Sequence, residues 1–144
     1  MKKAESFALA LIFLFAFLGC APDLVVKDLQ LNWDPEPLPP LGSGVNKKAK
    51  AEIANIGNKD AGRFLVYFDG EEDPVSPTRR PQVSKDVPHL AKGDSIHLEA
   101  DFAPLAHRDN NYLENVKKIL VIADPKGMVK EKNENNNERE IPVP

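Results

Sequence analysis

Nucleophiles, paired acids, metal ligands and oriented amides are the raw material of protein chemistry, and this chain uses them sparingly. Its single cysteine, Cys20, has no partner for an internal disulfide. Three histidines, His89, His97 and His107, are scattered along the chain. A zinc site would need them to converge, and they read instead as surface residues. Glu71, Glu72 and Asp73 are adjacent after Asp69-Gly70, which suits a soluble turn better than two carboxylates held apart across a cleft. The densest oxygen-bearing group is Asp124, Glu131, Asn133, Glu134, Asn136 and Asn137, with Val129 among them. Calcium takes six to eight such oxygens. The spacing is not that of an EF-hand, however, and the three asparagines supply at most three side-chain oxygens. Short Asx side chains bond to nearby backbone and tolerate left-handed conformations. Residues 124–137 are therefore expected to form a structural hairpin, not a metal site. Asp109, Asn110, Asn111 and Glu114 form a second oxygen-rich stretch, where metal is equally disfavoured. No G-x-S-x-G, H-E-x-x-H or phosphate loop is present. The expectation is no catalytic residue, no metal and no cofactor.

Cys20 takes its meaning from position. Lys2 and Lys3 precede an unbroken apolar run over residues 7–18. That run is too short to span a bilayer, which takes about 20 residues, and it fits the apolar region of a signal peptide. It ends Leu18-Gly19-Cys20-Ala21, which resembles the lipobox of bacterial lipoproteins. Phe17, Leu18 and Glu5 depart from the commonest residues of that pattern. Simple cleavage after Ala21 is the alternative, but it would leave Pro22 first, which signal peptidases dislike. The resemblance implies a signal peptide over residues 1–19, a lipid-anchored N-terminus over residues 20–22, and a diacylglyceryl group on Cys20. Each buried methylene is worth ~0.8 kcal/mol, and stable anchoring takes two chains, which that group supplies. Ala21 in place of Asp implies the outer membrane, if the envelope has one.

Behind the anchor the chain must supply one core. Of 144 residues, removal of 19 leaves 125, one domain's worth. Loss of Lys2, Lys3 and Glu5 moves the net charge from −3 to −4, which argues against nucleic-acid binding. Residues 23–33 alternate apolar and polar, with a break in phase near Lys27-Asp28 that reads as a bulge. Residues 48–56, 63–68, 95–102, 118–124 and 139–143 read as further strands, and Asn55-Ile56-Gly57-Asn58 as a turn. Residues 119–122, Ile-Leu-Val-Ile, suit a central strand. The prolines of residues 35–40 suit an extended connection. Residues 111–116 allow a turn of helix. Ile53, Phe64, Val66, Ile96, Leu98, Phe102, Ile119 and Val121 are the expected core. The class is all-β, a sandwich.

Three segments in order resemble the CARDB family, the cell-adhesion-related domain found in bacteria. They are Asp23-Leu24-Val25-Val26; Ile53-Ala54-Asn55-Ile56-Gly57 with Asp60-Ala61-Gly62 and Phe64; and Asp124-Pro125, Val129, Glu131, Asn133-Glu134, Asn136-Asn137. Leu90-Ala91-Lys92-Gly93 fits as well, and the likeness covers about residues 23–143, within one domain over residues 23–144. It implies an immunoglobulin-like antiparallel sandwich of about seven strands. Residues 69–89 read as a long proline-rich connection, and residues 106–115 as an insertion. The leading expectation is a membrane-anchored, non-catalytic binding or adhesion module of the cell envelope. The alternative is a structural or accessory subunit of an envelope complex. The expected partners are the membrane, through lipid on Cys20, and a protein or glycan, with no nucleic acid.

Overall fold

The computed structural model describes residues 19–35, 46–72, 81–106 and 112–144. β1 (Leu24–Trp33) starts with Leu24 and Val26 turned inward. Its register against β2 (Lys47–Asn55) shifts between Val26 and Asp28. The extra residue inverts the phase, so Leu29, Leu31 and Trp33 continue the inward face. β2 turns Ala49, Ala51 and Ile53 inward, and its other side pairs with β5 (Ser95–Asp101). These three strands form one sheet in the order β1-β2-β5. The second sheet has the order β4-β3-β6-β7, built from β3 (Phe64–Glu72), β4 (Gln82–Val87), β6 (Val116–Ala123) and β7 (Glu138–Pro142). All pairings are antiparallel. The seven strands thus make a two-sheet sandwich, with β6 interior as its apolar run requires.

The inward faces close over Leu24, Ile53, Phe64, Val66, Phe68, Phe102, Ile119 and Val121, all fully buried. Trp33 and Phe102 stack at a tilt with ring centroids 5.6 Å apart. The ammonium of buried Lys47 lies 5.1 Å from the Trp33 ring centre and donates to the Asp34 carbonyl. Burial lowers its pKa, against the pull of Asp34 and Glu114.

Three expectations are corrected. Asp69-Gly70 does not end β3, which runs on until Glu72 pairs with Val116. β4 lies inside the stretch read as a connection. Its period is short and flanked by Pro81 and Pro88, and one inward position is Lys85. That composition suits an edge strand, where proline and an inward charge block further pairing. Ile96 and Leu98 are only half-buried. β5 is the edge of its sheet and faces the edge strand β4, so the opposite layer covers them incompletely. After Phe102 comes a single helical turn, α1 (Ala103–Ala106), and a 3-10 turn (Tyr112–Asn115) leads into β6. Residues 1–18, the prolines after Pro35, Asp73, His107 and residues 109–111 lie outside the described residues.

The strands run between two poles. One collects residues 19–23 and the connections 56–63, 88–94 and 124–137. The other collects Trp33, Lys47, Glu72, Asp101, Val116 and Pro142.

Candidate functional site

Asn55, the last residue of β2, is fully buried and uses all of its amide. Its Oδ1 accepts from the backbone N–H of Asp23 and of Gly57, both at 3.1 Å. Its Nδ2 donates to the carbonyls of Lys59 at 2.8 Å and Leu90 at 3.2 Å. One amide thus ties the start of β1 to two loops. Gly57 is required by close approach: a Cβ there would stand 2.4 Å from the Ala21 carbonyl oxygen and 2.6 Å from the Asp23 nitrogen. Asn58 continues the clasp. Its Oδ1 accepts from Ala21 N–H at 3.0 Å, and its Nδ2 donates to the Gly19 carbonyl at 2.9 Å and lies 3.7 Å from Cys20 Sγ. Cys20 itself is exposed.

The 124–137 connection closes the same pole from the other sheet. Asp124 adopts φ 49°, and its carboxylate accepts from Met128 N–H at 2.8 Å and Val129 N–H at 2.7 Å. Val129 is thereby set into the core. Asn133 makes a local bond, accepting from Asn135 N–H at 3.0 Å. Glu134 accepts from Glu131 N–H at 2.9 Å. Asn136 and Asn137 reach further. Asn136 Nδ2 donates to the Asp23 carboxylate at 2.8 Å, and Asn137 Nδ2 to Glu131 Oε1 at 2.7 Å. Glu131 Oε2 accepts from Leu24 N–H at 2.6 Å, and Lys132 N–H donates to the Pro22 carbonyl at 2.9 Å. The carboxyl of Glu131 is pushed up to about 7, first by burial, and further by the charges of Glu134 and Asp124, against the Leu24 and Asn137 bonds. The amide oxygens of Asn136 and Asn137 are buried and accept no bond among the described residues.

This network grips residues 19–24. Asp23, Asn55, Gly57 and Asn58 belong to it without having been singled out as site residues. Their signal was the Asn-x-Gly turn, whose amide and bare Cα serve a segment some 32 positions away in sequence. Among the described residues no group of three or more His, Cys, Asp or Glu side chains is arranged to hold a metal. His89 faces Asp60 at 3.5 Å, and His97 is exposed on the outer face of β5. Glu71 pairs with Lys118 at 3.0 Å.

The two outer faces differ. On the three-stranded sheet Asp28, Gln30, Lys48, Lys50, Glu52, His97 and Glu99 point outward, with Glu99 bridging Lys48 and Lys50. On the four-stranded sheet Leu65 and Tyr67 of β3 adjoin Leu120 and Ile122 of β6, with Tyr67 directly opposite Ile122. Lys118 with Glu71 and Glu140, Arg63 with Asp86, and Gln82 with Asp69 surround these apolar side chains.

The signature residues, in the order of the sequence, thus sit on a sandwich of the expected strand count, and a family model for CARDB matches residues 21–141. The chain belongs to the CARDB family. CARDB domains are non-catalytic adhesion modules. A solved domain of a Methanosarcina acetivorans protein, described as a cell surface protein, is similar over 85% of this chain and 90% of its own, with 24% identity and a TM-score of 0.57. The CARDB domain of a Pyrococcus furiosus protein, solved in complex with di-metal ions, is similar over 85% of this chain and 87% of its own, with 16% identity and a TM-score of 0.48. No curated protein matches the chain.

Proposed function

We propose that this CARDB domain is an exported binding module, held on a membrane by lipid on Cys20, that docks a protein on the outer face of its four-stranded sheet. Residues 1–19 act as the export signal in this reading, and the module works on the cell envelope. The observation that carries the docking surface is the contiguous set of half-buried Leu65, Tyr67, Leu120 and Ile122 inside a rim of ion pairs. An apolar centre with a polar rim is how protein interfaces are built, and aromatic residues such as Tyr67 carry much of their energy. The opposite face is covered with charge and offers no such centre. An accessory subunit of an envelope complex would use the same surface, and the identity of the partner separates the two roles.

A photo-crosslinking residue at Tyr67, with the same residue at Lys50 as comparator, tests this in the cells that make the protein. A discrete protein adduct from Tyr67 and none from Lys50 is expected. A partner resident in the envelope would favour the subunit role, and one from outside it the adhesion role. An adduct from Lys50 alone, or no protein adduct from either position, would remove the docking surface.

A further inference from the structure

The start of the mature chain has no slack. Ala21 N–H and carbonyl both bond to Asn58. The Pro22 carbonyl accepts from Lys132, and the Asp23 carbonyl accepts from Ile56 N–H at 2.8 Å. Pro22 and Asp23 are buried. The fold therefore begins at Ala21, one Cα–Cα step of about 3.8 Å from Cys20. A flexible tether would let an anchored domain tumble, and none exists here between the cysteine and the domain.

The surface beside Cys20 has its own character. Ile56 and Met128 are the exposed large hydrophobic residues among the described residues, at 56% and 48% exposure, and both belong to this pole. Ile56 is bonded to Asp23, and Met128 sits in the connection that clasps Pro22 and Leu24. Singly exposed apolar residues are ordinary. Two at the same pole as the attachment point, with none elsewhere among the described residues, are a pattern. Around them the loops expose Lys59, Arg63, Lys92, Lys126, Lys130 and Lys132, with Arg63 paired to Asp86. Asp60, Asp94 and Glu134 are exposed there too, so these loops carry more positive than negative charge. Asp60 is partly occupied, accepting from Lys92 N–H and facing His89. Apolar insertion is the term such a surface offers to a neutral bilayer, and its basic residues add attraction to an anionic one. The lysines bury their stems and keep their ammonium groups in the headgroup layer.

We propose that this pole is a membrane-contact face. With the lipid of Cys20 in the bilayer, Ile56 and Met128 enter the boundary between headgroups and acyl chains. The strands then stand away from the membrane, and the pole of Trp33, Lys47 and Pro142 points outward. The proposal rests on the lipid-anchor reading and deepens it: the anchor fixes an orientation as well as a location. The outer face of the four-stranded sheet would consequently lie along the membrane normal, open to a partner from the side.

The test uses the full lipidated protein in phosphatidylcholine vesicles whose acyl chains carry bromine, a short-range quencher of tryptophan. Ile56→Trp and Met128→Trp report from the proposed contact, and Lys117→Trp reports from the opposite pole. Native Trp33 is buried at that opposite pole and gives a common background. The added emission of Ile56→Trp and Met128→Trp should fall by about twofold or more, as expected for side chains about 5–10 Å deep in the interface. That of Lys117→Trp should not change. If the protein carries lipid and floats with the vesicles, yet both reporters at the contact stay unquenched or all three are quenched alike, the contact face is wrong and the anchor stands. If Cys20 carries no lipid and the protein does not float, the anchor itself is wrong and this proposal falls with it.

Discussion

Glu131 makes the stability of this domain depend on pH in an unusual direction. The residue is 8% exposed, and its carboxyl carries no cationic partner among its bonds and accepts from Leu24 N–H and Asn137 Nδ2. Folding raises it from the ordinary 4.5 to about 7. Between those values the folded chain holds a proton that the unfolded chain releases. The contribution is therefore fully present below about 4.5 and is lost as pH rises through about 7. At about 1.36 kcal/mol per pK unit, titration from pH 5 to pH 8 costs the folded state about 2–3 kcal/mol. Glu131→Gln should abolish this term. Gln keeps an oxygen for Leu24 N–H, and its own amide hydrogens can meet the oxygen of Asn137, which accepts no bond now, after that amide rotates. Urea unfolding of the Cys20→Ser mature chain, followed by the single buried Trp33, gives the stability at each pH. The wild-type side chain should lose about 2–3 kcal/mol more than the Gln variant between pH 5 and pH 8. Equal slopes in the two proteins, or a wild-type domain that gains stability over this window relative to the variant, would refute the buried-proton reasoning.

Three other outcomes follow from the packing. Phe64→Ala empties a fully buried aromatic site and should cost about 3–5 kcal/mol of unfolding free energy. Gly57→Ala forces a Cβ into the Ala21–Asp23 backbone; limited proteolysis should then cut near residues 20–23 while the sheets stay protected. Asn136→Ala leaves the Asp23 carboxylate without its amide donor and should lower stability by about 1–2 kcal/mol in urea unfolding, whereas chelator or millimolar calcium should leave the melting temperature unchanged. A calcium-dependent rise of several degrees that disappears in Asn136→Ala would instead make the 124–137 connection a ligand site.

The fold was legible where one face of a strand is apolar and the other is not. β2 and the first half of β3 announce themselves through Ala49, Ala51, Ile53, Phe64 and Val66, and the bulge in β1 through a single break in phase. β4 was hidden because an edge strand needs less apolar surface and tolerates Pro81 and Pro88 at its borders and Lys85 inward. The half-burial of Ile96 and Leu98 was hidden for a related reason. Alternation says which way a side chain points, not whether the opposite sheet extends far enough to cover it. At the clasp, the residue types of the 124–137 connection were visible, and so was the local bond of Asn133. The bonds from Glu131 to Leu24 and from Asn136 to Asp23 join residues 107 and 113 positions apart. No spacing rule reaches that far, so the link between the asparagine-rich segment and residues 23–24 had to come from the tertiary structure.

The central claim is that the chain is held on a membrane through Cys20, directly at the start of its fold. Mass spectrometry of the N-terminal peptide from the protein isolated from its own cells tests it most directly. The account predicts a chain that begins at Cys20 and carries a diacylglyceryl thioether. A mature chain that begins at Pro22, or one that retains residues 1–19 with an unmodified Cys20, would contradict it.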